Sequence, residues 1–329
     1  MLYNLLKMVL SSNMIVVAAS AVACVTVFLL LSRPFAFLPK DGGKFVTDKD
    51  GNKVEVNANS NGKTTGVGLV FVSVAVLIAL LFFPITLEFV LYMVLCLLMM
   101  IVGYLDDSSK APWGELVKGI LDLVLALAAA IVFVIYNESA FVFFGHIVHI
   151  PMVVYVILAV CLIWGSVNVT NCTDGVDGLC GTVSVIELFA ISFIFGKYLG
   201  QLSGFALVMC FVLCAYLAYN WYPSTVLMGD AGSRTIGFLI ALLAMKCWHP
   251  FLFVILSFVF LFDGGLGLLK LVIMRVTKKP FLEKIRFPFH DELKKNRKWS
   301  VGKIVIFFSA FEVIMCVVAW LIMRFTLKG

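Results

Sequence analysis

Residues 150–196 read IPMVVYVILAVCLIWGSV, then NVTNCTDGVDG, then LCGTVSVIELFAISFIFG. Two apolar runs, 150–167 and 179–196, enclose a segment dense in Asn, Thr, Asp and Gly. Each run comes close to the roughly 20 residues needed to cross a bilayer. This reads as a membrane helical hairpin that carries its polar residues at one water-facing end. Working outward, runs of the same kind fall at 14–32, 65–83, 85–104, 115–136, 203–221, 235–249, 250–274 and 302–323, which makes ten spans. Only His249-Pro250 separates the eighth from the ninth.

Composition agrees. The 329 residues are 62% hydrophobic and 13% charged, whereas a soluble domain is about half apolar and about a quarter charged. Lipid must solvate much of this surface, and lipid-exposed backbone must satisfy its own hydrogen bonds. The expected fold is an all-α integral membrane protein, with residues 1–329 as one polytopic domain. The apolar run Met14–Leu31 is longer than the roughly 7–15 residues of a signal-peptide core. The nine cysteines lie mostly inside apolar runs, and their odd number argues against a disulfide framework.

Most of the 25 Lys and Arg residues fall in one set of loops. They include Arg33, Lys40, Lys44, Lys63, Lys110, Lys118 and Arg234, and a dense group from Lys270 to Lys303. The positive-inside rule makes that set cytoplasmic and places both termini outside. In the first cytoplasmic loop, Asp50-Gly51 between β-formers signals a small hairpin. The outer segment Asn137–His149 reads as a short interfacial hairpin or helix.

Four polar clusters then share the cytoplasmic face. Asp106-Asp107 ends the third span; adjacent carboxylates repel and need a cation or a shared proton, and Mg²⁺ with phosphate oxygens supplies one. The segment Asn168–Leu179 brings Asn171, Asp174, Gly175 and Asp177 together, and its glycines allow close approach of a ligand. Asn220 opens a third stretch that ends Gly229-Asp230-Ala231-Gly232-Ser233-Arg234 just before a span. That is either a phosphate site at a helix N-terminus or a plain Asp N-cap. The fourth runs from Arg286 through His290-Asp291-Glu292 to Trp299-Ser300; its charge fits phosphate or anionic lipid and equally the positive-inside bias. Five acids lie within or near spans, Glu88, Asp122, Glu187, Asp263 and Glu312, and intramembrane acids are functional suspects.

In this order the clusters resemble the polyprenyl-phosphate N-acetylhexosamine-1-phosphate transferase superfamily, and within it the bacterial phospho-N-acetylmuramoyl-pentapeptide transferase branch. Asp106-Asp107 matches the family's paired aspartates. Asn171 to Leu179 matches Asn-x-x-Asp-Gly-x-Asp-Gly-Leu, Met228 to Ser233 matches Met-Gly-Asp-x-Gly-Ser, and Pro288-x-His290 with Trp299-Ser300 matches the last loop. Four places depart from the pattern. A triple histidine is reduced to His290-Asp291-Glu292, Thr-Pro-Thr-Met-Gly-Gly is replaced by Lys63-Thr-Thr-Gly-Val-Gly68, Leu227 stands for an aromatic, and Asp263 stands where the muramoyl branch has Glu.

The resemblance implies a multi-pass enzyme of the bacterial inner membrane that moves phospho-MurNAc-pentapeptide from UDP-MurNAc-pentapeptide to undecaprenyl phosphate, giving lipid I and UMP. It implies a Mg²⁺ cofactor held by Asp230 and Asp107, and catalysis by Asp106, Asp107 and Asp230. Lys118, Asn171, Asp174, Gly175, Asp177, Asn220, Gly229, Ser233 and His290 would bind substrate, with Asp177 reading the uracil. A covalent aspartyl-phosphate route is the rival to direct displacement. A GlcNAc-1-phosphate transferase and, from another class, an ion-coupled transporter are the alternative functions. Aromatics and Met on span faces suit a homodimer interface or lipid contact equally.

Overall fold

The computed structural model describes residues 2–42, 45–47, 53–55, 62–109, 113–143, 145–279, 281–282 and 285–326. A short helix α1 (Leu2–Lys7) precedes α2 (Ser12–Leu31), whose first turn is capped by Ser11. Strands β1 (Phe45–Thr47) and β2 (Lys53–Glu55) pair antiparallel with Val46 opposite Val54, as the expected hairpin requires. Its Asp50-Gly51 turn lies outside the described residues. Then follow α3 (Gly68–Phe82), α4 (Leu87–Asp107) and α5 (Glu115–Tyr136). Strands β3 (Ala140–Phe143) and β4 (His146–His149) also pair antiparallel, so the segment read as hairpin or helix is a hairpin.

The remaining helices are α6 (Met152–Thr173), α7 (Leu179–Leu199), α8 (Gln201–Asn220), α9 (Gly229–Lys246), α10 (Pro250–Leu256), α11 (Phe258–Phe260), α12 (Leu266–Thr277), α13 (Phe289–Asp291) and α14 (Val301–Thr326). A π-helical turn at Leu261–Gly265 joins α11 to α12. Seven of these helices are long and apolar enough to cross a membrane: α2, α4, α5, α6, α7, α8 and α14. Among the described residues one further apolar pair, Pro250–Leu256 and Phe258–Thr277, meets at 67° and forms either a broken span or a re-entrant loop. The ten expected runs each coincide with helix, but α3 is short, at 15 residues, and α9 is a core helix.

Helix α9 organises the rest. Every residue from Ala231 to Met245 is buried, and α9 packs on α4 and α6, with α3 and α7 alongside. Inside a membrane, helices associate through close packing at small residues rather than by hydrophobic transfer. Gly237 lies against the backbone of Ser166 and Val167, with the Ser166 hydroxyl donating to the Gly237 carbonyl at 2.7 Å. Gly103 of α4 lies against the backbone of Asp230 and Ala231.

Helix boundaries differ from the apolar runs in a consistent way. Helix α4 continues past 104 to Asp107, α6 past 167 to Thr173, and α9 starts at Gly229 rather than 235. Hydropathy ends at the membrane surface, but the backbone helix does not. Polar side chains sustain the extra turns: Asn168 donates to the Trp164 carbonyl at 2.7 Å and Thr173 to Val169 at 3.0 Å. The motif residues therefore sit on rigid helix ends.

Candidate active site

The C-terminus of α4 meets the N-terminus of α9. A helix start leaves backbone N–H groups without partners, and no side chain of α9 caps them. Asp107 does so from α4: its Oδ1 accepts from the Asp230 N–H at 3.1 Å and its Oδ2 from the Ala231 N–H at 3.2 Å. Gly229 permits this contact, because it holds φ at +66° and a Cβ there would strike Asp107 Oδ2. The helix end read as a phosphate site is thus occupied by the protein's own carboxylate. Asp230 is not the cap; it stands one residue inside the helix.

Asp106, Lys118, Asp230, Arg234 and Asp122 form a chain of alternating charge. Lys118 Nζ lies 2.5 Å from Asp106 Oδ2 and 3.6 Å from Asp230 Oδ2. Arg234 Nε lies 3.2 Å from Asp230 Oδ2, and its Nη1 donates to Asp122 Oδ1 at 3.1 Å. Asp106 also accepts the Trp113 N–H at 2.8 Å. From α6, Asn171 donates to Asp230 Oδ1 at 2.9 Å and to the Ser233 hydroxyl at 3.0 Å, and that hydroxyl donates to the Gly229 carbonyl at 3.0 Å. Of the expected residues, Asp106, Asp107, Lys118, Asn171, Gly229, Asp230 and Ser233 therefore share one site.

Asp177 marks a second pole. Its Oδ2 accepts from Lys63 Nζ at 3.2 Å and from the Ser224 N–H at 3.1 Å, while Lys63 also donates to the Ser224 hydroxyl at 2.8 Å. Asn220 is buried with both ends used by backbone: it accepts from the Gly178 N–H at 2.9 Å and donates to the Val226 carbonyl at 2.8 Å. It shapes this pole by holding the start of α7 against the segment leading to α9. Asp174 ends α6 and leads into the turn between the poles.

His290 closes the site from the last loop. Its N–H donates to Asp263 Oδ1 at 2.7 Å, and its Nδ1 is 2.7 Å from Asp263 Oδ2. With Nδ1 held against Asp263, Nε2 turns toward Gly175, where a Cβ would collide with the ring. Asp291 instead pairs with Lys295 at 2.7 Å. Glu292 ties the loop together: the Arg286 N–H, and then Asn296 and Arg297, hold its carboxyl below the usual range. Of the His-Asp-Glu trio, only His290 faces the site.

Three participants were not singled out as site residues from sequence. Asp122 stood out only as one of five intramembrane acids. Lys63 and Arg234 read as loop charges, and nothing local marks which carboxylate a loop cation will reach. The other acids lie apart: Glu88 binds Lys246, Asn137 and Tyr92 at the opposite end of the bundle, Glu187 bonds Ser257, and Glu312 accepts from the Cys316 thiol.

Among the described residues no three His, Cys, Asp or Glu side chains form a ready metal cage. Magnesium seldom needs one, since it binds one or two carboxylates, waters and substrate phosphates. The donor set fits that pattern. Asp230 Oδ2 is buried without a hydrogen bond, and the cluster sets the four carboxylates of Asp106, Asp107, Asp122 and Asp230 against the two cations of Lys118 and Arg234.

Beside the site, a cavity of ≈ 520 Å³ is lined by residues including Cys172, Leu268, Lys270, Met274 and Phe287. A larger cavity of ≈ 650 Å³ is apolar and sits at the other end, between the β3–β4 hairpin and α10, with none of the site residues in its wall.

The family model described as glycosyl transferase family 4 matches residues 89–248, from α4 to just beyond α9. A phospho-N-acetylmuramoyl-pentapeptide-transferase of Treponema pallidum (strain Nichols) is 36% identical over 305 residues, covering 86% of this chain and 82% of that protein. Proteins of the same name from Streptococcus suis (strain 05ZYH33) and Clostridium acetobutylicum are each 29% identical, over 78% and 67% of this chain and 84% and 71% of theirs. Identity at that level, sustained across most of both chains, makes this protein a member of the phospho-N-acetylmuramoyl-pentapeptide-transferase family.

Proposed function

We propose that this protein transfers phospho-N-acetylmuramoyl-pentapeptide from UDP-MurNAc-pentapeptide to undecaprenyl phosphate, forming lipid I and releasing UMP in peptidoglycan synthesis. The observation that carries the reading is the convergence of Asp106, Asp107, Lys118, Asn171 and Asp230 at one end of the bundle, in a chain of this family. In the reaction, an oxygen of the lipid phosphate forms a bond to the β-phosphorus while the bond from that phosphorus to the α-phosphate oxygen breaks. One phosphoanhydride replaces another, so catalysis rests on positioning and charge neutralisation.

The lipid phosphate, with a second pKa of about 6, is mostly dianionic near neutrality. Asp106 takes any remaining proton, and Lys118 and His290 contact phosphate oxygens. Asp177 reads the uracil, with Asp174 and Gly175 beside it. Asp230, and Asp107 with a lone pair left on each oxygen, would hold Mg²⁺, which neutralises diphosphate charge when bound. The cavity lined by Cys172, Leu268 and Met274, with Lys270 and Arg286 also in its wall, suits a lipid chain with an anionic head. Ten spans with both termini outside, in the bacterial inner membrane, would set this end in the cytoplasm, within reach of a soluble nucleotide substrate.

The test is UMP release by purified protein given undecaprenyl phosphate, Mg²⁺, and either UDP-MurNAc-pentapeptide or UDP-GlcNAc. Release with the muramoyl substrate alone, abolished by chelator and by Asp230→Ala, is expected. Release with UDP-GlcNAc instead would move the protein to the GlcNAc branch, and a phosphoenzyme trapped with nucleotide substrate alone would replace direct displacement by the covalent route.

A further inference from the structure

Arg234 and Asp122 are almost fully buried, at 4% and 1% exposure, in two helices of a membrane bundle. Ionised side chains are costly there and tend to mark function, and a buried ion pair seldom adds net stability over apolar residues of the same size. The placement of this pair is specific. Asp122 stands four residues after Lys118 on α5, and Arg234 four after Asp230 on α9, so each helix presents one acid and one cation on one face. The guanidinium uses Nη1 on Asp122 and turns Nε to Asp230 Oδ2. The guanidinium is planar and rigid, so the single bond from Nη1 to Asp122 Oδ1 helps to set where Nε lies in its ion pair with Asp230 Oδ2. Asn171 meanwhile holds Asp230 Oδ1.

Two buried oxygens, Asp122 Oδ2 and Asp230 Oδ2, accept no hydrogen bond. A pair built for stability alone would satisfy its acid, whereas here Arg234 is divided between two acids and leaves each one short.

We propose that Asp122 and Arg234 are a positioning pair for the transfer reaction: Asp122 orients Arg234, and Arg234 fixes the Asp230 carboxylate and limits how strongly the acid cluster draws a divalent cation. The inference rests on the function proposed above.

The test uses the full chain as wild type, Arg234→Met, Arg234→Lys and the double variant Asp122→Leu/Arg234→Met. Three quantities are read: kcat and KM for UMP release, the thermal unfolding midpoint, and Mn²⁺ binding followed by its EPR signal without substrates. The double variant removes both charges together and is expected to unfold near the wild-type midpoint, while Arg234→Met strands a buried acid and unfolds earlier. In both, kcat should fall about tenfold or more, a loss of about 1.4 kcal/mol of transition-state stabilisation, with KM little changed. Removing a cation 3.2 Å from Asp230 should tighten Mn²⁺ binding about threefold or more.

Tighter metal binding with slower turnover is not what a purely structural pair would give. Wild-type kcat and unshifted Mn²⁺ binding in a folded double variant would overturn the proposal. If that variant does not fold, Arg234→Lys decides, since it keeps the charge and loses the planar fork. Wild-type turnover there would sink the idea, and a tenfold loss at an unchanged midpoint would support it. A wild-type protein that releases no UMP from either nucleotide sugar would refute the functional reading instead, and the Mn²⁺ shift would still report on the pair.

Discussion

Asp263 shows how much one residue's role depends on what folds onto it. In the chain it is an acid buried in an apolar helix; in space it takes both the N–H and the Nδ1 of His290, which is 27 residues away. That contact selects which ring nitrogen faces the site. Asp263→Asn keeps the size but leaves one acceptor oxygen for the two groups of His290 that Asp263 faces. By analogy with other carboxylates that orient a functional histidine, kcat is expected to drop about 10–100-fold, with KM for the nucleotide substrate little altered; unchanged kcat would detach His290 from the chemistry. At this scale the sequence was readable where residue type alone limits chemistry. Asp106, Asp107, Asn171 and Asp230 could be nominated because they stand in polar clusters at span ends and match the family's motifs, although an N-cap remained the other reading for Asp230. Lys63 and Arg234 could not, since their partners are set by a loop docking on Asp177 and by the rotation of α5 against α9.

At the scale of elements, the site is a meeting of helix ends. Apolarity located every long helix but misplaced the functional ends by three to six residues at α4, α6 and α9, because hydropathy records where lipid stops and not where the backbone unwinds. Those extra turns give the aspartates their rigidity. The junction of α4 and α9 is the tightest of these meetings. Gly229→Ala would force a side chain into left-handed backbone and against Asp107. It should destabilise the protein by about 1–3 kcal/mol, seen as a lowered thermal midpoint, and should slow turnover in the molecules that stay folded. A wild-type midpoint would mean that Asp107 can retreat from the helix end without cost.

For the whole molecule, polar residues gather at one end of the bundle and an apolar cavity with the β3–β4 hairpin lies at the other. The positive-inside reading gives this polarity a direction that labelling can check. In sealed cells a membrane-impermeant maleimide should reach a cysteine replacing Gly145, in the β3–β4 turn, and should leave one replacing Ser300, beside α14, unreacted until the cells are opened; the reverse pattern would invert the topology. His249-Pro250 marked the boundary between α9 and α10, but the run 250–274 read as one unbroken span, and its 67° bend at Ser257 was not legible.

The carboxylate lodged at the start of α9 has a consequence for how the enzyme lives among the small anions of a cell. The one helix terminus most inviting to free phosphate or sulfate already has a tenant, delivered by Gly103 and Gly229. Millimolar inorganic phosphate should therefore neither slow turnover nor shield the site from inactivation, and a phosphate that inhibited competitively would mean that Asp107 yields its seat. The site is plugged by its own chain, so only a ligand that brings its other contacts with it can compete for the space.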